Sequence, residues 1–272
     1  MTAEVSGAGP AALPQLALAT GRLLADVDSL DDNAVRQPSA LPGWRRAHVL
    51  THLARHAEAL VRIADAARRG ELVDPYPGGP AGRAAEIERG AGRTAAAIRA
   101  DVAAGAARLA EEWRRLPADV WKRPTKALKG TRPLAAGVTA RWVEVEVHHV
   151  DLRVGRSPAQ WSPEFVTAGL GYVLAGLPGR PGPATTPGSG RWLLWCPERA
   201  GGWQVDAQGS PATVRPVSSP EEVPAGAHRV DGAGHDVLAW LLGRRPAGDG
   251  LRVRAGSGPG DPLALPVLFP FP

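Results

Sequence analysis

Apolar residues recur three and four positions apart over most of the first 155 residues, the periodicity of helices that bury one face. Residues 14–30 carry Leu16, Leu23, Leu24, Val27 and Leu30 at that spacing. A second stretch starts after LPGW (residues 41–44) and runs to about Arg69, with Val49, Leu53, Leu60 and Ile63 on one side. The turn YPGGPAG (76–82) leads into a third, long stretch that ends near Leu116. Its apolar side holds Ile87, Ile98, Val102, Leu109 and Trp113, while Gly90 and Gly92 each weaken it by about 1 kcal/mol against alanine. A fourth covers about 134–154, with Val138, Trp142, Val145 and Leu152 apolar. Four helices with a long connection before the last predict a four-helix bundle.

The pattern then changes. Ser162, Pro163 and Glu164 read as an N-cap, a first-position proline and an acid in the first helical turn. That helix should end near Gly176, where a Pro/Gly-rich linker or loop spans 176–190. Short strands are expected at 191–195, 202–205, 212–217, 228–230 and 251–253, with a helix at about 235–242. Helix and strand segments of this size predict a small α+β domain. The chain therefore divides into a bundle over 1–155 and an α+β domain over 156–272, a two-domain α+β protein. The closing LPVLFPFP reads as an extended surface tail.

Composition narrows the function. Hydrophobic residues at 44% and charged residues at 22% are ordinary globular values, so wholesale disorder is excluded despite 33 glycines and 27 prolines. No apolar run reaches the roughly 18 residues of a membrane span, and the first fifteen residues lack a basic start and an apolar stretch. A soluble, cytoplasmic chain is expected. The net charge is +5, but the basic residues are almost all scattered arginines. The densest run, Lys122 to Arg132, sits between helices without a second aromatic, which argues against a nucleic-acid surface. Small anions suit such an arginine-rich chain better. Cys196 stands alone in the apolar run WLLWCPE, so there is no disulfide and no paired-cysteine metal motif. It reads as a buried, inert thiol.

Five of the seven histidines fall in two helices. His48, His52 and His56 are spaced i, i+4, i+8 and share a face of the second helix. In the fourth helix, WVEVEVHHVDL sets Glu144 and His148 four apart, with Asp151 three beyond. A carboxylate and an imidazole at that spacing can grip one ion from one side, and a ligand from a facing helix would complete a His₂Glu set with an open position. The same spacing also fits a simple helical ion pair. Asp151 suits the role of holding an imidazole in one tautomer. Glu146 and His149 point to other faces.

LPGWRRAHVLTHLARHAEAL (41–60) closely resembles the second-helix signature of the mycothiol-dependent maleylpyruvate isomerase family, and RWVEVEVHHVDL (141–152) resembles its second signature. YPGG (76–79) and DVLAWLLGR (236–244) look like further family segments. The resemblance is strongest over 41–155 and patchy after 176. It implies a DinB-like four-helix bundle followed by a small α+β domain. It also implies a divalent metal, usually zinc, on His52, Glu144 and His148, and mycothiol as thiol cofactor. The family reaction turns maleylpyruvate into fumarylpyruvate. An arginine of the C-terminal domain is implied near the metal. Arg244, Arg245, Arg252 and Arg254 compete for that role, with Arg244 first and Arg252 second. His56 and Arg55 could border the pocket, and Trp44 reads as a packing residue at the helix start. The 176–190 insertion and the piecemeal match of the C-terminal half leave the substrate open.

Two alternatives accompany this expectation: a mycothiol S-transferase acting on another electrophile, and a non-catalytic metal-binding bundle. In each case the partners are small molecules rather than nucleic acid or membrane. A bundle that buries its own core is expected to be a monomer.

Overall fold

The computed structural model describes residues 9–127, 130–177, 190–208, 212–244 and 250–257. The chain divides into two compact units, one ending at Ser157 and the other starting at Pro158. Most of the expected 176–190 insertion and the LPVLFPFP tail lie outside the described residues.

In the first unit α1 (Leu13–Val27) begins with Pro14 in its first turn and buries Leu16, Ala19, Leu23 and Val27, a clean three-to-four repeat. One turn, α2 (Asp32–Val35), follows, its start capped by Asp31. The central helix is α3 (Arg46–Arg68). Eight consecutive residues, Ala47 to Ala54, are buried, because α3 has neighbours on several sides. These are α4 (Gly79–Ala91), α5 (Ala95–Arg114) and α6 (Ala136–Asp151), while α1 packs on α5 and α6.

The expected third helix is in fact two. Thr94 adopts an extended conformation and its side chain accepts from the Ala97 N–H, so it caps a new helix directly after the Gly92 stop. Gly90 also has a packing role: a Cβ there would lie 2.3 Å from Thr51 Cγ2, so its absence lets α4 close on α3. The basic run that seemed a connector folds as a hairpin, β1 (Pro124–Lys126) with β2 (Thr131–Pro133). Arg123, just before it, donates to the carbonyls of Ala67 and Arg68 at the end of α3, a standard use of a cation at a helix C-terminus.

The second unit starts with α7 (Pro163–Ala175). Ser162 caps it by accepting from the Phe165 N–H at 3.2 Å. A five-stranded sheet follows, built from β3 (Arg191–Cys196), β4 (Gly201–Asp206), β5 (Thr213–Val217), β6 (His228–Asp231) and β7 (Arg252–Arg254) in the order β5-β4-β3-β6-β7. Every pairing is antiparallel except β3 with β6. Central β3 is buried on both faces, which explains its unbroken apolar sequence: Leu193 joins Val217 and Val223 on one side, Trp192, Leu194 and Cys196 turn to the other. Pro216 sits in edge strand β5, where a missing N–H is harmless. The last helix, α8 (Gly234–Leu241), packs on α7 and β3. Among the described residues no helix is long and apolar enough to cross a membrane.

Candidate metal centre

Helices α3 and α6 face each other with one histidine from α3 and a Glu/His pair from α6 between them. His52 Nε2 lies 2.8 Å from Glu144 Oε2, and His148 Nε2 lies 3.1 Å from the same oxygen. One ligand atom from each residue falls within 4.8 Å of the others. The two imidazole rings meet edge to face, their centroids 4.8 Å apart. Both histidine side chains are buried, whereas Glu144 keeps 16% of its side chain exposed and so marks the side open to solvent.

The second nitrogen of each imidazole has a different partner. His148 Nδ1 is 2.8 Å from buried Asp151 Oδ2, which fixes Nε2 as the nitrogen facing the cluster. His52 Nδ1 is 3.0 Å from Arg83 Nη2. Guanidinium only donates, so Nδ1 accepts, and Nε2 carries the proton given to Glu144. Arg83 comes from the second turn of α4 and lies 5.6 Å from the centre of the Tyr76 ring. Arg141, buried one turn before Glu144, donates from Nη1 to the Leu53 carbonyl at 2.8 Å and approaches His56 Nδ1 at 3.4 Å.

Burial lowers the pKa of His52 to about 4, although Glu144 opposes it, so this ring is neutral at pH 7. Burial also pulls His148 down, but its hydrogen bonds to Asp151 and Glu144 outweigh that and raise it. Burial pushes Glu144 up, yet the charges and hydrogen bonds of His56, His52 and His148 hold it well below the ordinary carboxylate range. Burial lowers His56, and raises Tyr76 with help from the Glu144 charge. Arg141 falls to about 10 through burial and stays cationic at neutral pH. One carboxylate oxygen thus lies 2.8 and 3.1 Å from the Nε2 atoms of two imidazoles, at the point where a cation would sit. Two nitrogens and an ionised carboxylate on buried, braced side chains fit a divalent ion.

The other sequence candidates are distributed as follows. His48 shares the face of His52, but its Nδ1 accepts from the Arg45 N–H and so caps α3, with Nε2 3.4 Å from Glu88. His56 has its ring 6.0 Å from that of His52 and lies beside Arg141. Arg55 turns away to Asp101 and Glu58. Trp44 stacks on His48 and places its ring 5.8 Å from His52, so it both packs the helix start and walls the cluster. On the other faces of α6, Glu146 pairs with Arg22 and Arg156, and His149 Nε2 with Asp26. In the second unit, Arg244 donates from Nη1 to the Leu242 carbonyl, and Arg252 is exposed on β7. Cys196 is buried and its thiol is pushed up to about 12.

Sequence reasoning missed Arg83, Tyr76 and Arg141 as neighbours of the site. Arg141 was legible, lying three and seven residues before Glu144 and His148 on one helix face. Tyr76 opens YPGG, a turn sequence that does not by itself point to a neighbouring site. Nothing in GPAGRAAE marks Arg83, since its approach to His52 depends on how closely α4 packs on α3.

A family model described as the mycothiol maleylpyruvate isomerase N-terminal domain matches residues 16–153, a span containing every residue of this cluster. The crystal structure of the mycothiol-dependent maleylpyruvate isomerase superposes with a TM-score of 0.72 at 22% identity, covering 91% of this chain and 93% of that one. The structure of a histidine-to-alanine mutant bearing the same description gives the same values. At that identity the likeness is one of fold. No curated protein matches the chain.

Proposed function

The chain belongs to the mycothiol maleylpyruvate isomerase family, and from that premise we propose that it is a metal- and mycothiol-dependent enzyme converting a cis-enedioate of the maleylpyruvate type to its trans isomer. The observation that carries this reading is the convergence of His52, Glu144 and His148 within 4.8 Å. Zinc is the ion we assign. When bound, the metal would deprotonate the thiol, whose reversible addition to the electron-poor C=C makes that bond rotatable and then restores it as trans.

The chain's own residues bind, orient and hold protons. His52 is neutral, so it can offer a lone pair without first losing a net charge. Asp151 keeps His148 turned with Nε2 toward the cluster. Glu144, ionised and partly exposed, supplies the anionic ligand on the side that small molecules can reach. Arg244, with Arg252 second, is assigned to a substrate carboxylate, for which a planar fork of donors is suited. Cys196 takes no part, because a buried thiol with a pKa near 12 supplies almost no thiolate. The nucleophile comes from outside the chain.

The test is to incubate metal-quantified protein with maleylpyruvate, with and without mycothiol, following substrate absorbance and thiol titre together. Isomerisation with the thiol unconsumed is the expected result. Thiol consumption with adduct formation would make the protein a transferase. Bound metal without thiol-dependent turnover of any electrophile would make it a non-catalytic metal-binding bundle. His52→Ala, Glu144→Ala and His148→Ala should each lose metal and activity together, while His149→Ala should lose far less.

A further inference from the structure

Arg83 holds His52 in the wrong tautomer for ligating a metal through Nε2. A neutral imidazole with a metal on Nε2 carries its proton on Nδ1, and metal-bound histidines normally donate that N–H to an acceptor. Here Nδ1 faces the Arg83 guanidinium at 3.0 Å, a cationic group with five donors and no acceptor. Once Nε2 is ligated, two N–H groups would confront each other, one of them cationic. The two arrangements exclude each other, so ligation must release Arg83.

A released Arg83 has no anionic partner waiting. Its described contacts are the neutral groups His52 and Tyr76, its Nε is buried without a hydrogen-bond partner, and no carboxylate among the described residues pairs with it. The nearby fixed charges are Arg83 and Arg141 against Glu144 and Asp151; Arg141 is fully buried and donates from Nη1 to the Leu53 carbonyl, while its Nη2 has no hydrogen-bond partner among the described residues. A divalent ion would therefore leave the site net positive, with Arg83 as the cation of the two that is not fully buried. Partial exposure leaves this side chain room to move.

Resting on the proposed function, and deepening it, we propose that Arg83 is a second substrate-binding arginine, supplied by the bundle itself. It is stored on His52 Nδ1 in the metal-free protein and transferred to a carboxylate or developing enolate oxygen of the ligand when His52 takes the metal. Metal loading and anion capture are then coupled through one guanidinium.

Arg83→Met tests this, since it keeps the length of the side chain and removes both charge and donors. Zinc affinity is measured by competition with a chromophoric chelator, and maleate, a minimal cis-dicarboxylate, is titrated into the zinc-loaded protein. A ¹⁵N spectrum of the imidazoles reports the tautomer of His52, and thermal melts confirm folding. Losing one charge-assisted hydrogen bond predicts that the variant binds zinc roughly tenfold tighter. By the same reasoning it should bind maleate roughly tenfold more weakly, with Arg83→Lys recovering part of the maleate affinity. In the wild type, the His52 proton should move from Nε2 to Nδ1 on loading.

Unchanged or weaker zinc binding by Arg83→Met would overturn the proposal. So would unchanged maleate binding, or a wild type that ignores maleate. These titrations involve no turnover. Failure of thiol-dependent isomerisation would sink the proposed reaction while leaving the Arg83 coupling intact.

Discussion

Replacing Asp151 with asparagine removes a buried charge from behind His148 while preserving the shape of the side chain. Asp151 is fully buried and its Oδ2 lies 2.8 Å from His148 Nδ1. A hydrogen bond to a charged group contributes about 1.5–3 kcal/mol. At 1.4 kcal/mol per decade, that corresponds to a loss of roughly ten- to a hundredfold in metal affinity. Asparagine can still accept from Nδ1–H through its amide oxygen, so Asp151→Asn should fall at the lower end and Asp151→Ala at the upper. Asp151 also raises the pKa of His148, so a proton competes with the metal for that ring. Zinc dissociation constants should therefore be measured at about pH 8.5, where this competition is weaker. Asp26→Asn is the internal control, because it cuts an equivalent bond to the neighbouring His149 and should leave zinc affinity unchanged. An unchanged constant in folded Asp151→Asn, or an equal loss in Asp26→Asn, would refute the reasoning.

Three other outcomes can be checked. Metal-free protein should lose stability as the pH falls from 6.5 to about 4, since the unfolded chain takes up a proton that buried His52 refuses across that window. Full development of the effect is worth roughly 3 kcal/mol. His56 and Glu144, both lowered, act in the same direction, while His148, raised, adds stability below pH 6.5 that is lost as the pH climbs through its folded value. Chelator-treated His52→Ala should show a flatter dependence of melting temperature on pH, and an unaltered slope would contradict the assignment. Gly90→Ala gains about 1 kcal/mol of helix propensity. It also drives a Cβ to 2.3 Å from Thr51 Cγ2, on a stiff β-branched side chain. Overpacking of about 1–3 kcal/mol should win, so the melting temperature should drop, and a rise would show that α4 can move away freely. Cys196 should resist a thiol reagent in native protein and react only on unfolding, and Cys196→Ser should retain thiol-dependent turnover; fast native labelling would contradict its burial.

The sequence by itself determined most of the helical segments and where the ligand candidates lie. A helix fixes the relation of residues four apart, so Glu144 and His148 share a face wherever α6 is placed, and Asp151 follows within reach of His148. Caps are equally local: Ser162 announces α7, and Thr94 caps α5, a boundary that the apolar period running through the third stretch conceals. The strands of the second unit were legible from short apolar runs, but the parallel β3–β6 pairing was not, because register and strand order are set by contacts distant in sequence. Among three equivalent-looking histidines on α3, spacing could not choose. Only packing could, by turning His48 to the helix start, leaving His56 beside Arg141, and bringing His52 within 2.8 Å of Glu144 on another helix. The placement of Arg83 belongs wholly to the tertiary structure. It depends on Gly90 letting α4 approach α3, a steric condition across two helices that no periodicity within either of them encodes.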